Sequence, residues 1–246
     1  MAPQPRHSSL LAVDVEAYAS RTEPGQEAVR RAMYATVRGA AGEAEIPWDE
    51  CVVQDQGDCI LLLVPAHVPV PSLIDPFVAR LDGLLRRHNA LASAEAAVRM
   101  RVAVHAGYVS LDGAGWVGTA VNSTARLLAA PEFKAVLAAS RRAQTALIVS
   151  DEVYRSIVRQ GHVGLDPQSF HQVRVRLKEL DTPAWIHVPG YPVPDGLGGA
   201  GPDRPAPAPH QPAAAPGQQF GDYAYNKGVI AGGDISVGND LVIGRD

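Results

Sequence analysis

The apolar run Leu10 to Val15 carries an aspartate, Asp14, one residue from its end. A run this apolar reads as a strand buried on both faces, and an acid inside it is costly unless something positive lies against it. A second acid, Asp58 in Gln56-Gly57-Asp58-Cys59, stands at what reads as the tip of a hairpin. If the two strand ends are neighbours, the carboxylates are paired, an arrangement that usually holds divalent cations.

Around these acids the hydrophobic period alternates between helix and strand. Ala28, Val29, Ala32, Met33, Ala35, Thr36 and Val37 fall on one helix face within residues 26 to 41, and Glu23-Pro24-Gly25 punctuates the start. Trp48 to Gln54 and Cys59 to Val64 are β-rich runs flanking Asp55-Gln56-Gly57. A two-residue loop at Gln56-Gly57 then pairs position 51 with position 62 and leaves Asp58 just past the turn. Asp75-Pro76 opens a helix to about Ala92, Val98 to Ala106 alternates as a strand, and Gly107 to Val117 forms a second hairpin around Asp112-Gly113. Asn122 to Ala130 is helical and halts at Pro131, Phe133 to Ala139 is a further helical piece, and Ala146 to Val149 is a strand. Ser150-Asp151 caps a helix over residues 152 to 159 that Gly161 ends, and Val173 to Leu177 and Trp185 to Val188 read as two edge strands. Strands that alternate with helices and also form hairpins predict a layered α/β, or α+β sandwich, sheet of mixed direction.

The 246 residues suffice for one sizeable core. A net charge of −4 and a pI near 6.1 argue against a general grip on nucleic acid, which needs a concentrated basic surface. Arg86-Arg87-His88 and Arg141-Arg142 read as solvated helix faces. The longest apolar stretch is too short to span a bilayer and the N-terminus has no cationic segment before an apolar core, so the expectation is a cytoplasmic protein without a membrane partner. The two cysteines, Cys51 and Cys59, do not face each other in the expected register and are taken as small core residues.

Four blocks, Val13-Asp14-Val15-Glu16-Ala17-Tyr18, Gln56-Gly57-Asp58, Val104-His105-Ala106-Gly107 and Val117-Gly118-Thr119-Ala120-Val121-Asn122-Ser123-Thr124-Ala125-Arg126, resemble in order and spacing those of class III nucleotidyl cyclase catalytic domains. The resemblance covers roughly residues 8 to 188 and implies a cyclase-like, ferredoxin-like mixed sheet. It also implies a nucleoside triphosphate as substrate and two Mg2+ or Mn2+ ions held by Asp14 and Asp58. Asn122 would orient the ribose, and Arg126, four residues on and on the same helix face, would stabilise charge developing on phosphorus. Lys178 in Leu177-Lys178-Glu179-Leu180 would grip the triphosphate, although the glycine expected beside it is Glu179. In such cyclases the metal pair and the Asn/Arg pair come from different subunits, so a chain carrying both implies a homodimer.

Four further residues depart from the pattern. The base-selecting place four residues before Asp58 holds Gln54, its usual acidic or thiol partner is Gly115, and the Gly-Phe that normally follows the first acid is Ala17-Tyr18. Neither Gln54 nor Gly115 specifies a purine, since an amide both donates and accepts. Two readings therefore stand: a working cyclase of unusual base preference, or a degenerate cyclase-like sensor or adaptor that binds nucleotide or only dimerises. Each residue also has an ordinary role available: Asp58 as a turn residue, Asn122 as a helix N-cap, Arg126 on the surface, His105 in packing. The scattered histidines suggest no zinc site, and no catalytic triad or phosphate-cradling Gly-Lys-Ser/Thr loop is present.

From Pro189 to Gln219 nine prolines stand among Ala, Gly and Gln, which predicts an extended, disordered linker. Residues 220 to 246 then end in three consecutive six-residue units, beginning at Val229, Ile235 and Leu241, each apolar, variable, apolar, Gly, variable, Asp. Three such units cannot bury a core alone, and stacking against matching units of other chains would supply the missing backbone partners. The segment resembles the amyloid-type signalling motifs of bacterial conflict proteins, which implies homotypic partners bearing a matching copy; a flexible tail is the alternative.

Overall fold

The computed structural model describes residues 4–111, 115–162 and 164–197. The chain divides into two units, Met1–Ala200 and Gly201–Asp246, and the described residues all belong to the first. The turn expected at Asp112-Gly113, most of the expected linker and the hexapeptide units lie outside them.

Strand β1 (Arg6–Val15) is followed by helix α1 (Glu23–Glu43), the hairpin β2 (Val52–Asp55) and β3 (Cys59–Val64), helix α2 (Phe77–Asn89) and strand β4 (Met100–Leu111). These pair in the order β2-β3-β1-β4, all antiparallel, which is the ferredoxin-like arrangement. The short β5 (Trp116–Val117) pairs with the end of β4. Helices α3 (Thr119–Ala129) and α4 (Pro131–Ala139) lead to β6 (Thr145–Ser150), parallel to β4, and helix α5 (Asp151–Ser156) precedes the hairpin β7 (His171–Leu177) and β8 (Leu180–His187). The sheet is extended in the order β4-β6-β8-β7.

Alternation along the strands divides the interior in two. Leu11, Val13, Ile60, Leu62, Val102 and Val104 face Val29, Met33 and Val37 of α1 and Leu81 and Leu85 of α2. Leu10, Ala12, Leu61, Leu63, Ala103 and Ile148 face Leu127 and Leu128 of α3 and Phe133, Val136 and Leu137 of α4. Because β1 lies between β3 and β4 and is covered on both faces, its apolar run is continuous rather than alternating. Thr22 caps α1 with its side chain and Ser150 caps α5.

Several expectations are corrected. The first strand of the β2–β3 hairpin begins at Val52, because residues Trp48–Glu50 form a 3-10 turn. Its register places Val53 opposite Leu62, so the turn falls on Gly57-Asp58, one residue later than expected. The cause is the Asp55 carboxylate, which accepts the Gly57 N–H at 2.8 Å and draws the bend past Gln56. Strand β8 is interior, between β6 and β7; of the two strands expected at an edge, β7 alone lies at one. Helix α3 is capped at Gly118, which removes the N-cap role for Asn122. Past residue 188, Tyr191 and Leu197 pack against the second core. Both cysteines are free, with burial pushing Cys51 up to about 11 and Cys59 up to about 12, so neither is a ready thiolate at neutral pH.

A close approach seats α3. A Cβ on Gly107 would stand 2.8 Å from the Ala120 Cβ, so only glycine lets the helix lie this near β4. Gly107→Ala is expected to lower stability by about 1–3 kcal/mol in urea unfolding. Gly83→Ala, on α2 with open space around the new Cβ, is expected to raise it by about 0.5–1 kcal/mol.

Candidate functional site

Asp14 projects on the α3–α4 side of the sheet, cross-strand from Cys59 on β3 and Arg101 on β4. Arg101 grips it with two parallel bonds, Nε to Oδ1 at 2.8 Å and Nη2 to Oδ2 at 2.7 Å, and only 14% of the acid's side chain remains exposed. Burial still pushes the Asp14 carboxyl above its ordinary range, with the nearby Asp58 charge adding to the rise and Arg101 and Lys134 opposing it. Asp58 sits half-buried in the adjoining turn, where its carbonyl accepts the Val15 N–H at 3.0 Å. The structure therefore brings the two acidic residues to one end of the sheet. Just past the end of β1, Glu16 pairs with Arg99 at 3.0 Å. Ala17 adopts φ 55, a left-handed backbone that glycine takes without cost, so the conformation is kept where the smaller residue is absent.

The hairpin tip that carries Asp58 is clamped from α1. Arg30 binds both oxygens of Asp55 and donates to the Gly57 carbonyl at 2.6 Å, while the Tyr34 hydroxyl donates to Asp55 at 2.6 Å. The Arg30 guanidinium, then Tyr34 and the Gly57 N–H, hold the Asp55 carboxyl well below the usual carboxylate range.

Asn122 and Arg126 lie one turn apart on α3, Asn122 exposed and Arg126 half-buried. Arg126 is bonded to Glu179, which shares the β7–β8 turn with Lys178, itself at φ 53. This cluster stands at the other end of the sheet from Asp14. Following the ladders from Arg101 up β4, across β6 and along β8 to Leu180, at about 3.3 Å per residue, puts the two groups on the order of 25 Å apart. One chain does not bring them together.

Gln54 points to the same side of the sheet as Asp14, opposite Leu61. Its Oε1 is buried and, among the described residues, has no hydrogen-bond partner, a position that favours an incoming donor. Gly115 lies just ahead of β5, at the far end of β4. His105 is half-buried and hydrogen-bonded to Ser150 at 2.9 Å, and burial pushes its imidazole below the ordinary range, in keeping with packing. It lines a cavity of about 400 Å³ with Ser123, Leu127, Leu180 and Thr182. Arg101 and Glu179 were not visible as partners in the sequence, since nothing local marks a pair 87 or 53 residues apart.

Among the described residues no three His, Cys, Asp or Glu side chains group as a ready-made cation cage. Asp58, with Asp14 once freed of Arg101, would suit a hard cation that arrives with phosphate oxygens, the usual manner of Mg2+, rather than a permanently held ion. Among the described residues no helix is long and apolar enough to cross a membrane.

No protein-family model and no curated protein matches the chain. Solved structures do match. An adenylate/guanylate cyclase/hydrolase from Silicibacter pomeroyi superposes with a TM-score of 0.54 at 19% identity, over 76% of this chain and 98% of that one. A bacterial light-regulated adenylyl cyclase gives 0.51 at 13% identity, over 74% and 90%. The catalytic core of a rhodopsin-guanylyl cyclase with converted specificity, in complex with ATPalphaS, gives 0.50 at 17% identity, over 76% and 98%. The fold is class III cyclase-like. In this cyclase-like domain the mixed sheet displays the acid pair at one end and the Asn/Arg helix at the other.

The Arg30–Asp55 clamp yields a pH test. A depressed carboxyl contributes stability above its unfolded value, near 4, and loses it as pH falls through the folded value. Asp55→Asn is expected to cost about 1 kcal/mol at pH 7, modest because both side chains are about one-third exposed. In urea titrations that deficit is expected to shrink progressively below about pH 4.

Proposed function

We propose that the domain cyclises a nucleoside triphosphate in sites shared between two copies of the chain. The observation that carries this reading is the split itself: acids at one end of the sheet, amide and cations at the other, in a fold shared with solved cyclases. A two-fold pair of such chains joins each end to its complement and forms two equivalent sites. Exposed Tyr108, Leu111 and Val117 around β4–β5, and Val52 on edge strand β2, give apolar surface for a second copy to cover.

In the reaction the ribose 3′-oxygen attacks the α-phosphorus, a new P–O bond forms as the bond to the β-phosphate oxygen breaks, pyrophosphate leaves and the hydroxyl proton is lost. Asp14 and Asp58 would hold Mg2+ or Mn2+, which supplies charge neutralisation on the attacking and leaving oxygens when bound. Asn122 orients the ribose, Arg126 meets the charge developing around phosphorus, and Lys178 grips the phosphate chain. Arg101 would have to give up Asp14 for another cation to take that carboxylate. Gln54 offers the base its unpartnered acceptor.

A second reading is a nucleotide-binding or dimerising adaptor without turnover. It is favoured by the engagement of Arg101 and Arg126 with acids of their own chain. The full chain incubated with Mn2+ or Mg2+ and each of ATP, GTP, CTP and UTP separates the two. A cyclic product of the expected mass is expected for at least one base. Asp14→Ala and Arg126→Lys are expected to lower the rate by about 100-fold or more. No product with any base, and no difference between the parent and Asp14→Ala, leaves the adaptor.

The three C-terminal hexapeptide units are proposed as a homotypic assembly motif, tethered by the proline-rich stretch, in an intracellular signalling protein. The full chain at high concentration is expected to form assemblies that bind an amyloid dye, and a chain ending at Gln219 to form none.

A further inference from the structure

We propose that Glu179 is an internal rival for phosphate at Arg126, so that the chain carries its own competitor for the nucleotide it binds. The inference rests on the nucleotide-binding reading of α3 and concerns how tightly that site takes an anion.

The geometry is specific. Glu179 occupies the turn between Leu177 and Leu180, and its carboxylate bonds the Arg126 guanidinium. Arg126 is 25% exposed while Glu179 is 77% exposed. The acid therefore returns to water at little desolvation cost, and the arginine is already placed at the protein surface to meet an anion. Leu127 and Leu180, the sequence neighbours of the pair, line a cavity of about 400 Å³ shared by α3, α5 and β8, whose lining also includes Asp151, Glu152 and Arg155. Lys178, the neighbouring cation, shares the turn. An incoming phosphate chain must displace Glu179 from Arg126 and then remain in the field of the displaced charge. Both effects weaken binding, and both are screened by salt because the Glu179 carboxylate is largely exposed.

The competition has a defined size. An exposed ion pair reduces the affinity of a rival anion by roughly twofold to fivefold, and the residual field of the freed acid raises this to about tenfold at low ionic strength. Glu179→Gln keeps the side-chain shape and removes the charge. Since Glu179 acts through Arg126, the decisive readouts are salt dependence and the effect of first removing the arginine.

The test is calorimetric titration of the full chain with inorganic tripolyphosphate, a probe that cannot cyclise, and with each nucleoside triphosphate in the absence of added metal. A nucleoside lacking phosphate serves as the control. Glu179→Gln is expected to bind tripolyphosphate and nucleotide about threefold to tenfold more tightly than the parent in 20 mM salt. The gap is expected to fall below about twofold in 0.5 M salt, with nucleoside binding unchanged. In an Arg126→Gln background the same change at position 179 is expected to alter affinity by less than about twofold. Equal affinities of the parent and Glu179→Gln for a nucleotide that both bind overturn the proposal and leave the nucleotide reading intact. An equal gain in the Arg126→Gln background, or a gain that survives high salt, also overturns it. Failure of every variant to bind any phosphate, both without metal and with Mg2+ or Mn2+ added, overturns the nucleotide reading itself.

Discussion

The arrangement depends on a charge buried at the end of the most enclosed strand. Strand β1 has a strand on each side and a helical layer on each face, so Asp14 at its end has little access to water. The carboxylate is tolerated because the neighbouring strand presents Arg101 at the matching ladder position, with both guanidinium bonds near 2.75 Å. Removing one partner of such a pair leaves the other stranded, at a cost of about 3–5 kcal/mol. Strand register is thereby tied to electrostatics: a slip of one residue between β1 and β4 would turn Arg101 to the opposite face and leave the acid unpaired.

The second constraint is the clamp between α1 and the β2–β3 hairpin. Hairpin tips ordinarily fray, yet this one is fixed by Arg30 and Tyr34 converging on Asp55, while Asp55 also takes the Gly57 N–H. The same turn is sewn to β1 through the Asp58 carbonyl and the Val15 N–H. Two independent attachments therefore hold Asp58 beside Asp14, one running through a helix and the other through the sheet. The position of the acid pair follows from the body of the domain rather than from local turn preference.

Much of this architecture was legible in the amino-acid order, because it rests on short-range signals. The apolar run at β1, the helical spacing of α1 and the glycine-bearing block ahead of α3 each declare themselves within a few residues. What was misread depended on side chains acting at a distance or against local habit. The turn slipped by one residue because a single carboxylate captured the Gly57 N–H. Strand β8 was taken for an edge, although the free side of β6 accepts it. Arg101 and Glu179 were missed as partners because each finds its mate only after the chain has folded. The hairpin-tip location of Asp58 and the shared face of Asn122 and Arg126 could be read in advance; the occupants of those charges could not.

The opposite-end placement of the acid pair and the α3 pair has a kinetic corollary. If the proposed pairing of chains holds, an isolated copy is silent by geometry, whatever the quality of its side chains. Below the dissociation constant of the pair, output then climbs with the square of the copy number. If the proposed reaction holds as well, a cellular event that merely crowds these molecules together would raise turnover without altering a single reacting group.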